Sequence, residues 1–361
     1  MAELTTVSFG PQHPVLPEPI HLDLELKDEK VVRAVPSIGY VHRGLEKLVE
    51  KRDFKQFIYV AERVCGICSF GHGWGYAKAV EGLMEIDVPR RASYLRTIWH
   101  ELSRLHSHLL WLGLGADALG FESLFMHCWR LRETILDIFE ETTGGRVIFS
   151  VCEVGGVRRD LTDAMKKSIE ERLTGLRKEI EEMASVFLYD DTLQTRLEGV
   201  GILSMNEAMD LGCVGPMARA SGVPNDYRMA DDEGAYRDLG FHPVLEQTGD
   251  CLARTKVRIR ELYQSIDIIL GALENLPEGA IASPVRGVPP KGEFFTRVEQ
   301  PRGEAIYYIK GNGTKNLERF RLRTPTNCNI AALVKMLQGC DLADVPNIIL
   351  TIDPCISCCE R

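Results

Sequence analysis

No apolar run in the sequence approaches the roughly 18–20 residues needed to span a bilayer, so any membrane attachment is expected to come through partner proteins. A positive surplus is missing too: 43 Lys and Arg face 52 Asp and Glu, a net charge of −9. A nucleic-acid binder needs a basic face to neutralise phosphates, and that class is set aside. There is no G-x-G-x-x-G or P-loop pattern to cradle a nucleotide phosphate. Met1-Ala2-Glu3-Leu4 opens no signal peptide, and the cysteines are clustered rather than spread as a disulfide framework, so a reducing, cytoplasmic compartment is expected. With 361 residues, 45% of them hydrophobic, the chain can bury a large core.

What the chain does have is 11 cysteines, four of them in two C-x-x-C pairs near its ends: Cys65-Gly66-Ile67-Cys68 and Cys355-Ile356-Ser357-Cys358. Each spacing lets two thiolates converge on one soft metal ion. A zinc ribbon places its second pair roughly 15–20 residues after the first, whereas here nearly the whole chain intervenes. A thioredoxin-like dithiol follows a strand and opens a helix; Cys65 sits in a largely helical run and Cys355 follows an expected strand. The remaining reading is one tetrathiolate site closed by folding, because loop-closure entropy grows only logarithmically with length. Cys128, Cys152, Cys213, Cys251, Cys328 and Cys340 lack partner spacing and read as small buried hydrophobes.

Hydrophobic periodicity predicts a mainly α protein, a long helical bundle with small antiparallel sheets near the N-terminus and at about 294–323. Ile20, Leu22, Leu24 and Leu26 alternate with polar residues, and Val31 to Val35 follow a polar turn, which predicts a hairpin. Helices are expected over 43–64 with a break near Asp53, and over 90–118, 121–141, 161–186, 248–276 and 330–337. A strand is expected over 348–352. One domain over 1–361 is expected, with an N-terminal segment 1–42, a helical core 43–276 and a C-terminal metal-binding segment 277–361. His100, His106 and His108 share the 90–118 helix but do not form one face, and read as core or interface histidines. Gly155-Gly156-Val157 reads as a tight-packing element.

Arg63-x-Cys65-Gly66-x-Cys68-x-x-x-His72 and Asp353-Pro354-Cys355-x-x-Cys358 resemble the two signature motifs of the [NiFe]-hydrogenase large subunit, in the same order. Gly10-Pro11-Gln12-His13-Pro14 and His42-Arg43-Gly44-Leu45-Glu46-Lys47-Leu48 resemble both the membrane-bound, energy-converting hydrogenases (group 4, Ech or CO-induced type) and the quinone-site subunit of respiratory complex I. The resemblance runs from about Gly10 to Arg361.

That resemblance implies a reversible H2-evolving enzyme with nickel held by Cys65, Cys68, Cys355 and Cys358. Cys68 and Cys358 would bridge it to an iron carrying CO and cyanide. Glu18 becomes the proton relay beside Cys355, and Arg302, in Pro301-Arg302-Gly303, hangs a guanidinium over the open metal position with Asp353. Asp117 resembles an aspartate above the metals. Thr326 is similar to a residue that hydrogen-bonds a cyanide, and Arg63 and His72 flank the sulfurs, His72 as a donor rather than a ligand. Where the family carries a histidine that binds a structural magnesium or iron ion, this sequence has Arg361; pairing with Glu46 in place of the ion is expected. The chain stops there, so a C-terminal extension is expected to be absent or removed.

The implied partners are an iron–sulfur small subunit, a polyferredoxin subunit and integral membrane subunits, with ferredoxin or a CO dehydrogenase carrier as electron donor. The implied location is the cytoplasmic side of the membrane. Two rival readings remain. In a complex I-like quinone subunit, His13 and Tyr59 fall where the headgroup is read; a zinc scaffold is disfavoured by the spacing.

Overall fold

The computed structural model describes residues 4–361. Alternation at the N-terminus produces more than a hairpin. β1 (Thr5–Phe9) joins β2 (His21–Lys27) and β3 (Lys30–Ser37) in an antiparallel sheet ordered β1-β2-β3, with Val7 opposite Leu24 and Leu24 opposite Ala34. The first strand escapes sequence reading because its Thr-Thr-Val-Ser-Phe run is mostly exposed and lacks a clear apolar face. Its partners Leu22 and Leu24 are fully buried.

A 3₁₀ turn over Leu45–Lys51 precedes α1 (Phe54–Glu62). The expected break at Asp53 is present: its side chain accepts the Lys55 N–H at 2.9 Å, an N-cap that starts a new helix. The helical core follows as α2 (Ser69–Met84), α3 (Arg90–Ala118), α4 (Glu122–Thr143) and, after the two-residue strands β4 (Cys152–Glu153) and β5 (Gly156–Val157), α5 (Asp163–Tyr189). Short helices α6 (Asp191–Leu197), α7 (Met205–Asp210) and α8 (Pro216–Ala220) lead to α9 (Cys251–Glu274). Helix α3 is buried on most faces, with Leu95, Ile98, Trp99, Leu102, Leu105 and Leu112 in the core and Arg96, Glu101 and Arg104 buried beside them, so it forms the axis against which α4 and α9 pack.

The second sheet is β6 (Gly292–Gln300), β7 (Gly303–Gly311) and β8 (Arg319–Arg323), whose first hairpin turns at Pro301-Arg302. It is followed by α10 (Pro325–Leu337), which begins at its proline rather than at Ile330. The strand expected over 348–352 is instead α11 (Val345–Thr351). A short apolar run such as Ile348-Ile349-Leu350 cannot distinguish a buried strand from a buried helical turn. Here Ile348 and Ile349 are buried in one apolar cluster with Leu333 and Leu337 of α10 and Leu22 and Leu24 of the first sheet. The chain ends in α12 (Ile356–Glu360). Among the described residues no helix is long and apolar enough to cross a membrane.

Candidate metal centre

Each cysteine pair lies where one helix gives way to the next. Helix α1 ends at Glu62, and the Cys65–Cys68 turn runs straight into α2 with Cys68 at its cap position. At the other end of the chain α11 stops, Asp353 takes a left-handed backbone (φ 54°), and Pro354 and Cys355 lead into α12. A non-glycine residue with positive φ is held there by its surroundings, and such positions cluster where geometry serves a site.

The two turns meet. The Cys355 sulfur is 3.3 Å from that of Cys65 and 2.9 Å from that of Cys358, and the sulfurs of Cys68 and Cys358 are 3.6 Å apart. A disulfide needs about 2.05 Å, so these are four free thiols converging on one point; all four are buried. Cys65, Cys355 and Cys358 form one set of converging donors, and Cys68, His72 and Cys358 a second, overlapping one. Four convergent sulfurs suit a soft ion such as nickel, and His72 Nε2 stands beside two of them at hydrogen-bond distance. Hydrogen bonds from Cys355, Cys358 and Cys65 hold Cys68 well below the ordinary thiol range, while burial pushes Cys358 well above it. Thiolate is the ligating form, so a bound cation would draw off the remaining protons.

Side chains from elsewhere in the chain hold these turns in place. Arg43 donates to the carbonyls of Arg63 at 2.8 Å, Val64 at 2.9 Å and Ser357 at 3.0 Å, stapling one cysteine segment to the other. The Glu18 carboxylate accepts the backbone N–H of Ile356, that of Ser357 at 3.0 Å and the Ser357 hydroxyl, and so sits at the start of α12 beside Cys355. Thr326 Oγ1 accepts the Cys355 N–H at 3.0 Å and thereby anchors that loop.

Arg302 reaches into the site from the β6–β7 turn. Its Nη2 lies 2.8 Å from Asp353 Oδ1, its Nε donates to the Asp353 carbonyl at 3.0 Å, and its Nη1 faces Ser107 Oγ at 3.5 Å. Burial works against its charge, but Asp353 and the sulfurs of Cys355, Cys68 and Cys65 raise its pKa well above the usual value. A cavity of about 390 Å³ opens onto Cys65, Cys355, Arg302 and Glu18, walled by Leu110, Trp111, Leu114, Trp129 and Leu350.

Two expected residues lie elsewhere. Asp117, at the last turn of α3, is exposed and absent from the cavity wall; the α3 residue that faces Arg302 is Ser107, ten positions earlier. Arg63 is exposed and donates to the Tyr59 carbonyl at 2.8 Å, so it is turned from the sulfurs.

The family model of the respiratory-chain NADH dehydrogenase 49 kDa subunit matches residues 118–289 and 285–361, and that of nickel-dependent hydrogenases matches 43–113. The chain is 38% identical to the membrane-bound hydrogenase subunit alpha of Pyrococcus furiosus, over 98% of this chain and 87% of that one. It is 38% identical to the carbon monoxide-induced hydrogenase of Rhodospirillum rubrum, over 99% of each. An F(420)H(2) dehydrogenase chain of Methanosarcina mazei is 39% identical, over 98% of this chain and 97% of that one. The chain belongs to the energy-converting [NiFe]-hydrogenase large-subunit family. That family is related to the 49 kDa subunit of the respiratory enzyme, and both lineages run through this one sequence.

Within the hydrogenase-family fold, Arg361 Nε lies 2.8 Å from Glu46 Oε1, and Arg321 binds the other carboxylate oxygen at 2.6 Å. Arg361 and Glu46 are thus in direct ion-pair contact. Four further residues around the centre had no role assigned from the sequence. Arg43 and Ser107 carry no spacing signal of their own. Glu62, three residues before Cys65, is buried against Ser150 and burial raises its pKa to about 7. Tyr307 places its hydroxyl 2.9 Å from His72 Nδ1. A signal for the last existed: glycines at 71, 73 and 75 inside a helix cost roughly 1 kcal/mol each against alanine and mark a close approach by another element.

The buried histidines of α3 are core residues, as read. His100 Nε2 contacts the Glu299 carbonyl and His108 Nε2 the Glu261 carboxylate, each at 2.8 Å, and burial lowers both to about 4. Gly155-Gly156 is a packing element: Gly155 N–H donates to Glu81 at 2.6 Å, and Arg96 donates to the Gly156 carbonyl.

Proposed function

We propose that this chain is the catalytic subunit of a membrane-associated energy-converting [NiFe]-hydrogenase, interconverting H2 with protons and electrons. The observation that carries the reading is the convergence of four buried thiols from opposite ends of the chain beside a charged arginine. A quinone-site subunit has no use for such a cluster. Cys65, Cys68, Cys355 and Cys358 would hold the metals. When bound, the nickel–iron group supplies a soft, electron-rich site at which H2 is cleaved heterolytically.

The chain's own residues do the rest. Cys355 Sγ takes up a proton, as a thiolate depressed by a metal can do, and Glu18, pinned at the residues that follow, carries it outward. Arg302 and Asp353 present a fixed, desolvated dipole over the reacting position, where it acts more strongly than in water. The Leu and Trp walls of the cavity exclude water and admit a small apolar gas. Electrons would arrive through an iron–sulfur small subunit and a polyferredoxin, from ferredoxin or a CO dehydrogenase carrier, and integral membrane subunits would couple the reaction to ion translocation. Relatives named membrane-bound and carbon monoxide-induced hydrogenase support that setting. The chain then lies peripherally on the cytoplasmic face.

Elemental analysis with infrared spectroscopy of the purified complex tests the proposal. Nickel and iron with CO and cyanide bands are expected. Zinc alone would leave a scaffold, and a protein without metal would return the reading to a quinone subunit.

A further inference from the structure

The β6–β7 hairpin that carries Arg302 at its turn also carries Gln300 and Tyr307, one on each strand, and both point at α2. The Tyr307 hydroxyl lies 2.9 Å from His72 Nδ1, and Gln300 Nε2 donates to the Tyr307 oxygen at 2.8 Å. On the other side of the imidazole, His72 Nε2 lies 3.3 Å from the Cys358 sulfur and 3.5 Å from that of Cys68. All five residues are buried. Helix α2 is shaped to admit the pair: a Cβ on Gly71 would collide with the Gln300 amide, and one on Gly75 with the Tyr307 ring.

The direction of this chain follows from what each group can donate. Metal-bound thiolates accept only, so His72 must carry its proton on Nε2 to interact with them. In the neutral imidazole Nδ1 is then an acceptor, and among the described residues the hydrogen within reach is that of the Tyr307 hydroxyl. The Tyr307 oxygen in turn accepts from the Gln300 amide, which fixes the amide orientation as well. The alternative Tyr307 acceptor, the Gly71 carbonyl, is further away at 3.3 Å.

We propose that Tyr307, itself held by Gln300, is a positioning residue that fixes His72 as its Nε2–H tautomer and aims that N–H at the sulfurs of Cys68 and Cys358. The inference rests on the hydrogenase reading, since only a metal-bound sulfur pair makes the N–H direction matter. An N–H bond to a ligating thiolate withdraws electron density from the metals and raises their potential.

The test is Tyr307→Phe in the assembled holoenzyme, which keeps the ring against Gly75 and removes only the hydroxyl. Nickel and iron content should be unchanged, while the CO and cyanide infrared bands move to lower frequency and the midpoint potential of the centre becomes more negative. Gln300→Leu should move the bands in the same direction by less. Bands and potential at their wild-type positions in Tyr307→Phe overturn the proposal while leaving the hydrogenase reading intact. A wild-type protein with metals but no CO or cyanide bands overturns the hydrogenase reading, and this inference with it.

Discussion

The sulfurs of Cys65 and Cys355 lie 3.3 Å apart although 290 positions separate them in the chain. Nothing local brings them together: one belongs to the turn between α1 and α2, the other to the last turn before α12. Arg43 bridges the two turns, while Glu18 and Thr326 anchor the second one, so the site is an outcome of the whole fold.

Replacing one donor tests that site directly. Cys355→Ser should abolish stoichiometric nickel binding, because one of the few soft ligands is replaced by a hard oxygen, while circular dichroism keeps the helical content. Elemental analysis that still returned one nickel per chain would remove Cys355 from the site.

Glu18→Gln should retain nickel and iron but reduce H2 turnover by roughly 10²–10⁴-fold, the usual contribution of a positioned proton-transfer group. Gas-phase H2/D2 exchange is the measurement. Undiminished exchange would take Glu18 out of the proton route.

The Arg361–Glu46 pair gives a stability prediction with a defined sign. Burial alone would raise the Glu46 carboxyl, but Arg361, the Leu322 N–H and Arg321 outweigh it and hold the group below its ordinary value. A carboxylate depressed in the folded state contributes stability above its unfolded pKa, and that contribution disappears as pH falls through the folded pKa. Arg361→Ala should therefore lower stability by about 1 kcal/mol near neutral pH, the scale of a partly exposed pair, and by nothing once Glu46 is protonated. Urea denaturation at pH 7 and stepwise down to acid pH, until the difference between the two proteins vanishes, separates the two regimes. A divalent ion found between the two residues would falsify the idea that the guanidinium replaces one.

Glu62 predicts the opposite slope. Burial raises its folded pKa to about 7, against about 4.3 unfolded, so the folded protein is favoured at low pH and loses that advantage as pH rises through 7. Glu62→Gln keeps an acceptor for the Ser150 hydroxyl and removes the titration. Relative to wild type the variant should gain up to about 3 kcal/mol between pH 4 and pH 8, read from denaturation midpoints at both ends. An equal pH slope in both proteins would show that Glu62 titrates normally.

Much of the architecture was legible in the pattern of apolar residues. The long helices α3, α4, α5 and α9 and the β6–β8 sheet announce themselves because a helix or strand of that length must repeat its buried face many times. Short elements do not repeat, so β1 gives no signal and the apolar residues of α11 fit either period; α2, though longer, also escapes the pattern, because its glycines and buried polar residues leave no repeating apolar face. The cysteine pairs were legible for a different reason. C-x-x-C is a local arrangement whose spacing alone states that two thiols can share an ion.

The sequence by itself determined the donor set, the acidic and non-spanning character of the chain, and the positions of its long helices. Only the tertiary structure decided which residues surround the sulfurs. Asp117, plausible by its place near the end of α3, points to solvent, and Ser107 faces Arg302 instead, because the helix phase of α3 is set by its packing against α4 and α9. Tyr307 reaches His72 across 235 positions because the β6–β7 hairpin lies on the glycines of α2. Ligand spacing is a property of a few adjacent residues, whereas orientation around a buried centre depends on every element packed against it.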